Sequence, residues 1–167
     1  MGCIGNINGI TRHCGGVMGG IKRLWMSGFR EYEMVGTSDG NDYRIDIDSA
    51  DFESMYEYEF GKGTASANST ATIDAQNDIA FFTTELTAQF NGLSADRIFE
   101  MKELLKSGVT VLIQDNNDDY YLLNPSQAMY ATAMDITIGA QATDASKMGV
   151  TLQVQAPHPM MFASIVI

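Results

Sequence analysis

Residues 78–90 read Asp-Ile-Ala-Phe-Phe-Thr-Thr-Glu-Leu-Thr-Ala-Gln-Phe. From Phe82 onward the even positions Phe82, Leu86, Ala88 and Phe90 are mostly apolar, while Thr83, Glu85, Thr87 and Gln89 are polar. A period of two is that of a strand with one buried face. Asn91-Gly92-Leu93-Ser94 then makes a turn and supplies Ser94 as an N-cap, with Asp96 in the first turn, where a negative charge suits the helix dipole. Ile98, Met101, Leu104 and Leu105 follow at helical spacing, with Lys102 and Lys106 late and Gly108 beyond, so the spacing predicts a helix over 94–107. Val109–Ile113 is a second apolar strand. Asp115-Asn116-Asn117-Asp118 turns the chain, and Tyr120–Leu123 returns as its partner. The block reads as one helix on the flank of a sheet.

Outside this block the chain reads almost wholly as strands. Ile21–Phe29 is the first, carrying the single tryptophan, Trp25, toward a core edge. Glu31–Gly40 reads as loop, and Tyr43–Asp48 alternates with Ile45 and Ile47 inward. Glu53–Phe60 alternates most clearly, with Tyr56, Tyr58 and Phe60 on one side and Met55, Glu57 and Glu59 on the other. The small, polar stretch 61–71 then reads as the tip of one long hairpin, because alternating strands flank it. After Asn124-Pro125, Tyr130–Ile138 and Val150–Val154 alternate again, and Pro157-His158-Pro159 ends the last strand. Residues 156–167 form an apolar tail, a liability if left exposed on a lone molecule. Seven or eight strands and one helix give a mainly β (α+β) chain, a sandwich or small barrel with a flanking helix. It is a single domain over 1–167, with an N-terminal arm over 1–20.

Twenty-one acidic against ten basic residues give a net charge of −11, which argues against direct electrostatic binding of nucleic acid. The imbalance is uneven. Residues 1–30 carry Arg12, Lys22, Arg23 and Arg30 and no acid, so this region is attracted to acidic surfaces of the same chain or of another copy. Cys3 and Cys14 are the only cysteines, and whether they pair is open. His13 beside Cys14 lacks the further ligands a zinc site needs. No signal-peptide pattern precedes them and no apolar run spans a bilayer, so the expectation is a chain made inside the cell and kept off membranes. With two histidines in loop-like termini there is no nucleophile and base to assemble: no catalytic residue, cofactor site or metal site is expected. A small β-sandwich gripping a glycan or peptide through Tyr120, Tyr121 and Tyr130 is the other reading the residues allow.

The Cys14-Gly15-Gly16 and Gly19-Gly20-Ile21-Lys22 runs, Tyr56-Glu57-Tyr58-Glu59-Phe60 before a small-residue tip, the helix ending in Gly108, Gln114-Asp115-Asn116-Asn117 before Tyr120–Leu123, and Asp144 before Val150–Val154 together resemble the tail tube (major tail) proteins of tailed bacteriophages, in particular a group from phages of Bacteroidetes hosts. The resemblance covers most of the chain. Asn124-Pro125, where a glycine is expected, and the apolar tail depart from it. It implies a virion component assembled in the host cytoplasm, a homo-oligomer of stacked hexameric rings, with tape measure and terminator proteins as partners and DNA passing through without specific binding. A single-ring component of the same fold (terminator, connector or baseplate hub) is the near alternative.

On that resemblance a lumen lined by carboxylates repels the phosphates of passing DNA. The expected lining residues are Glu57, Glu59, Thr83, Glu85, Thr87 and Gln89. Lys62, Thr64, Ser66, Asn68 and Ser69 are the expected inter-ring contacts of the hairpin tip. Arg12, Lys22 and Arg23 are the expected inter-subunit contacts of the arm.

Overall fold

The structure, a computed structural model, describes residues 18–36, 43–104, 106–141 and 143–166. Its elements are β1 (Ile21–Gly28), β2 (Met34–Gly36), β3 (Tyr43–Asp48), α1 (Ser49–Glu53), β4 (Tyr56–Glu57), β5 (Ala65–Asp74), β6 (Ile79–Asn91), α2 (Ala95–Leu104), β7 (Val109–Asp115), β8 (Tyr120–Leu122), β9 (Tyr130–Thr137), β10 (Lys147–Ala156) and β11 (Met161–Val166). They form a seven-stranded sheet in the order β2-β3-β11-β8-β7-β1-β4 and a four-stranded sheet in the order β5-β6-β10-β9. The chain is mainly β with two sheets, and neither closes into a barrel.

β7 explains the layering. Every residue from Val109 to Gln114 is buried, as expected for a strand covered on both faces. On one face Leu24, Met26, Val111 and Ile113 meet Leu86, Ala88 and Phe90 of β6, Val150 and Leu152 of β10, and Met101 and Leu104 of α2. This is the main core, between the two sheets. On the other face Trp25, Leu112 and Leu122 join Ile45, Ile47 and the partly buried Phe52 of α1. The Trp25 ring lies 5.4 Å from Phe52 and 5.9 Å from Tyr120, and both pairs are tilted, an arrangement that adds to simple burial.

The helix starts as its sequence predicts: Ser94 Oγ accepts the Arg97 N–H at 3.3 Å. Met101 and Leu104 are its buried residues and seat it against the main core. Beyond Leu104, the backbone N–H groups of Lys106 and Ser107 both donate to the Glu103 carbonyl. Gly108 is not needed there for a left-handed cap. A Cβ at Gly108 would stand 2.5 Å from the Ala128 Cβ and 3.1 Å from the Tyr130 ring, so its requirement is space.

Five expectations are corrected. Residues 61–71 are not a hairpin tip: only Gly61–Thr64 turns, and from Ala65 the chain is strand β5, paired with β6 from Ala65↔Ala88 to Asp74↔Ile79. The tip is 75–78, where Asp74 Oδ1 accepts the Gln76 N–H, Asp74 Oδ2 accepts the Asn77 amide and Asp78 takes φ 53°. The apolar tail is no loose end. As β11 it lies parallel to β3 (Ile165↔Ile47) and antiparallel to β8 (Met161↔Leu122), filling the interior of the larger sheet. Glu53–Phe60 is mostly not strand, and Tyr56 is 72% exposed while Tyr58 and Phe60 lean on the main core. The loop assigned to Glu31–Gly40 contains β2, and a second helix, α1, covers the outer core.

Candidate functional site

The four-stranded sheet has one face in the core and one face outward, as its period of two dictates. Inward, Thr84 is buried and satisfies its hydroxyl on Ser69 across the pair at 2.8 Å. Outward, the register lines up three cross-strand rows of hydroxyls and amides with one carboxylate among them: Ser66–Thr87–Thr151, Asn68–Glu85–Gln153 and Thr70–Thr83–Gln155. Gln89 continues the face beside Gly149 and Asp135. The expected lining residues Thr83, Glu85, Thr87 and Gln89 therefore share one face. Ser66, Asn68, Thr151, Gln153 and Gln155 belong to it too, and the alternation of Thr151, Gln153 and Gln155 in β10 was the available signal.

Glu57 and Glu59 do not join them. Glu57 sits on β4, at the edge of the other sheet, paired with Trp25. Both line a cleft of about 350 Å³ with Arg97 and Glu100, which adjoins a second of about 290 Å³ and shares Tyr56, Tyr58 and Glu100 with it. There the Tyr58 hydroxyl donates to Glu100 Oε1 at 2.5 Å. Burial, then that carboxylate, push the Tyr58 phenol well above its ordinary range.

The expected inter-ring set is distributed along the hairpin's base and its strand. Lys62 is exposed in the 61–64 turn, and Thr64 Oγ1 donates to the Gly61 carbonyl at 2.6 Å, with the Gln89 carbonyl 3.1 Å away. Ser66 and Asn68 point outward, whereas Ser69 points inward to Thr84. Of the arm residues, Lys22 and Arg23 lie in β1 and contact acids of their own chain: Lys22 Nζ is 2.5 Å from Asp118 and Arg23 Nε 3.7 Å from Glu57. Arg12, with Cys3, His13 and Cys14, lies outside the described residues.

β5 and β9 are the two edges of this sheet. Proteins keep such edges from pairing further with charged residues, proline, bulges or very short strands. β5 is ten residues long, Ala-Ser-Ala-Asn-Ser-Thr-Ala-Thr-Ile-Asp, with a single charge at its end. β9 has eight residues and one charge, Asp135, although its pairing with β10 shifts register once. Nearby apolar side chains lie open: Ile73 and Ile79 flank the hairpin tip at 74% and 54% exposure, and Ile138 beyond β9 is 76% exposed.

The three tyrosines do not gather into one surface. Tyr120 packs on Trp25 and Phe52, Tyr121 stacks against Phe162 at 4.6 Å, and only Tyr130 is largely exposed. Among the described residues no three His, Cys, Asp or Glu side chains are grouped to hold a metal ion, and no helix is long and apolar enough to cross a membrane. Neither a scan against protein-family models nor a search of curated proteins finds a match to the chain.

Proposed function

We propose that the chain is the repeating subunit of a phage tail tube: a structural protein, not an enzyme, that closes into rings stacked around a channel for DNA. The observation that carries this reading is the pair of long edges with one charge each, β5 and β9, on a sheet whose outward face is polar. All three pairings in that sheet are antiparallel, so β5 and β9 run in opposite directions. Rotating one copy about an axis along the sheet brings its β9 beside the β5 of the next in antiparallel sense. The pattern then continues without a break and closure removes both edges.

Six copies of a four-stranded sheet would give a barrel of about 24 strands, against the 16–18 that already enclose an aqueous channel in porins. The exposed Ile73, Ile79 and Ile138 sit where neighbours in the ring or the next ring would cover them. Thr83, Glu85, Thr87 and Gln89 would face the bore. Glu57, on the other sheet, and Glu59, in the loop after it, would not. A single-ring component of the same fold differs only in failing to stack. Tape measure and terminator proteins are the partners this reading carries.

Mass measurement and negative-stain microscopy of the purified protein test it. Rings or tubes of uniform diameter are expected, and a monodisperse monomer at all concentrations would sink the proposal. Asn68→Lys with Ala133→Lys sets ammonium groups on the facing edges. It is expected to leave the monomer folded by circular dichroism and to abolish rings. Rings that persist unchanged would rule out edge-to-edge closure.

A further inference from the structure

Resting on the proposed ring, we infer that the bore-facing sheet keeps DNA from adhering by near-neutral hydroxyls and amides, and not by a wall of carboxylates. The chain as a whole has a net charge of −11. Along β5 from Ser66 to Thr70, β6 from Thr83 to Gln89, β9 and β10, the outward side chains include two carboxylates, Glu85 and Asp135, and one ammonium, Lys147. Two against one leaves a single net negative charge along this stretch, and Asp74, on the same face at the end of β5, adds a second.

Other acids lie elsewhere: Glu57, Glu59, Glu100 and Glu103 surround the clefts beside α2, and Asp115, Asp118 and Asp119 lie in the β7–β8 turn. Adhesion of a duplex is dominated by cations that neutralise phosphates and release counterions. A face with one lysine at its margin lacks them. Its hydroxyls and amides meet water and phosphate about equally, and exposed, separated carboxylates are largely screened beyond about 8 Å at physiological salt. Scarcity of cations therefore suffices, and repulsion adds little.

Assembled tubes incubated with a short linear duplex, pelleted, and treated with nuclease to remove DNA bound outside report retention within the bore. Glu85→Gln with Asp135→Asn is expected to change protected DNA by less than about two-fold over a wide salt range. Thr87→Lys with Gln153→Lys turns this central stretch net positive and is expected to retain duplex with a steep salt dependence, the logarithm of affinity falling by about 0.9 per phosphate contacted for each decade of salt. If removing the two carboxylates alone raises retention about ten-fold or more at low salt, with the rise lost at high salt, charge repulsion is the working element and the inference is overturned. Double-lysine tubes that retain no duplex overturn it equally. If the unmodified chain forms no rings, the tail-tube reading itself fails. Tubes that assemble while the carboxylate variant binds DNA refute only the neutral-face inference.

Discussion

Arg23 Nε lies 3.7 Å from Glu57 Oε1, joining a cation expected to reach for a neighbouring subunit to a carboxylate expected to line a bore. Both side chains are about half exposed, 54% and 46%, so the contact is screened and contributes at most about 1 kcal/mol. Its information is positional: β4 returns along β1 at the margin of the seven-stranded sheet, away from Glu85.

Glu57→Gln is accordingly expected to lower stability to urea by less than about 1 kcal/mol and to leave ring formation and DNA retention unchanged. Loss of rings with the fold intact would show that Glu57 contacts another copy.

Asn124 is expected to be one of the most sensitive polar positions. It is fully buried; its Oδ1 accepts the Val111 N–H at 2.9 Å, and its Nδ2 donates to the carbonyls of Val109 at 2.7 Å and Gln127 at 2.8 Å. Asn124→Ala leaves the buried Val111 N–H without its acceptor, while the Val109 carbonyl keeps the Met129 N–H, and is expected to cost about 1–3 kcal/mol in urea unfolding. A loss under about 0.5 kcal/mol would mean the groups find other partners.

Gly108→Ala tests the close approach at the end of α2. Its new methyl group would press on Ala128 and on the Tyr130 ring, and overpacking of this kind costs about 1–3 kcal/mol. If Gly108 served instead as a left-handed cap, Asn would be tolerated better than Ala. The crowding argument predicts that Asn, being larger, is worse, and thermal unfolding of the two variants decides.

Asp115 titrates out of step with a free aspartate. Burial raises its pKa, but hydrogen bonds from the Asn117 amide and from the Asp119 and Asn117 backbone N–H groups outweigh burial and hold it below the ordinary value. A depressed carboxyl stabilises the folded state above the unfolded pKa of about 3.9, and that contribution is lost as pH falls through the lower folded value. Residue-resolved NMR titration is expected to show Asp115 still mostly ionised at about pH 3.9, and Asn117→Ala to raise its midpoint. Identical midpoints in both proteins would remove the turn's role.

Alternation, apolar runs and turn residues together located β1, β3, β6, β7, β8, β9 and β10 to within a few residues, and alternation named Leu86, Ala88 and Phe90 as core and Thr83, Glu85, Thr87 and Gln89 as the opposite face. It did so because an alternating strand records which way each side chain points. Residues 65–74 escaped although Ala65, Ala67, Ala71 and Ile73 alternate with Ser66, Asn68, Thr70, Thr72 and Asp74, because small residues make that contrast shallow and read as loop. Only the ten-residue ladder to β6 makes them a strand.

Partner choice is what the tertiary structure decided. Alternation is a local property, but the sheet a strand joins depends on contacts between residues far apart in sequence, and nothing in Tyr56–Phe60 reveals that its neighbour is β1. For the same reason the apolar tail read as a liability if exposed, until its place between β3 and β8 supplied the backbone hydrogen bonds of a strand, with Ala163 buried and Phe162 and Val166 still about half exposed.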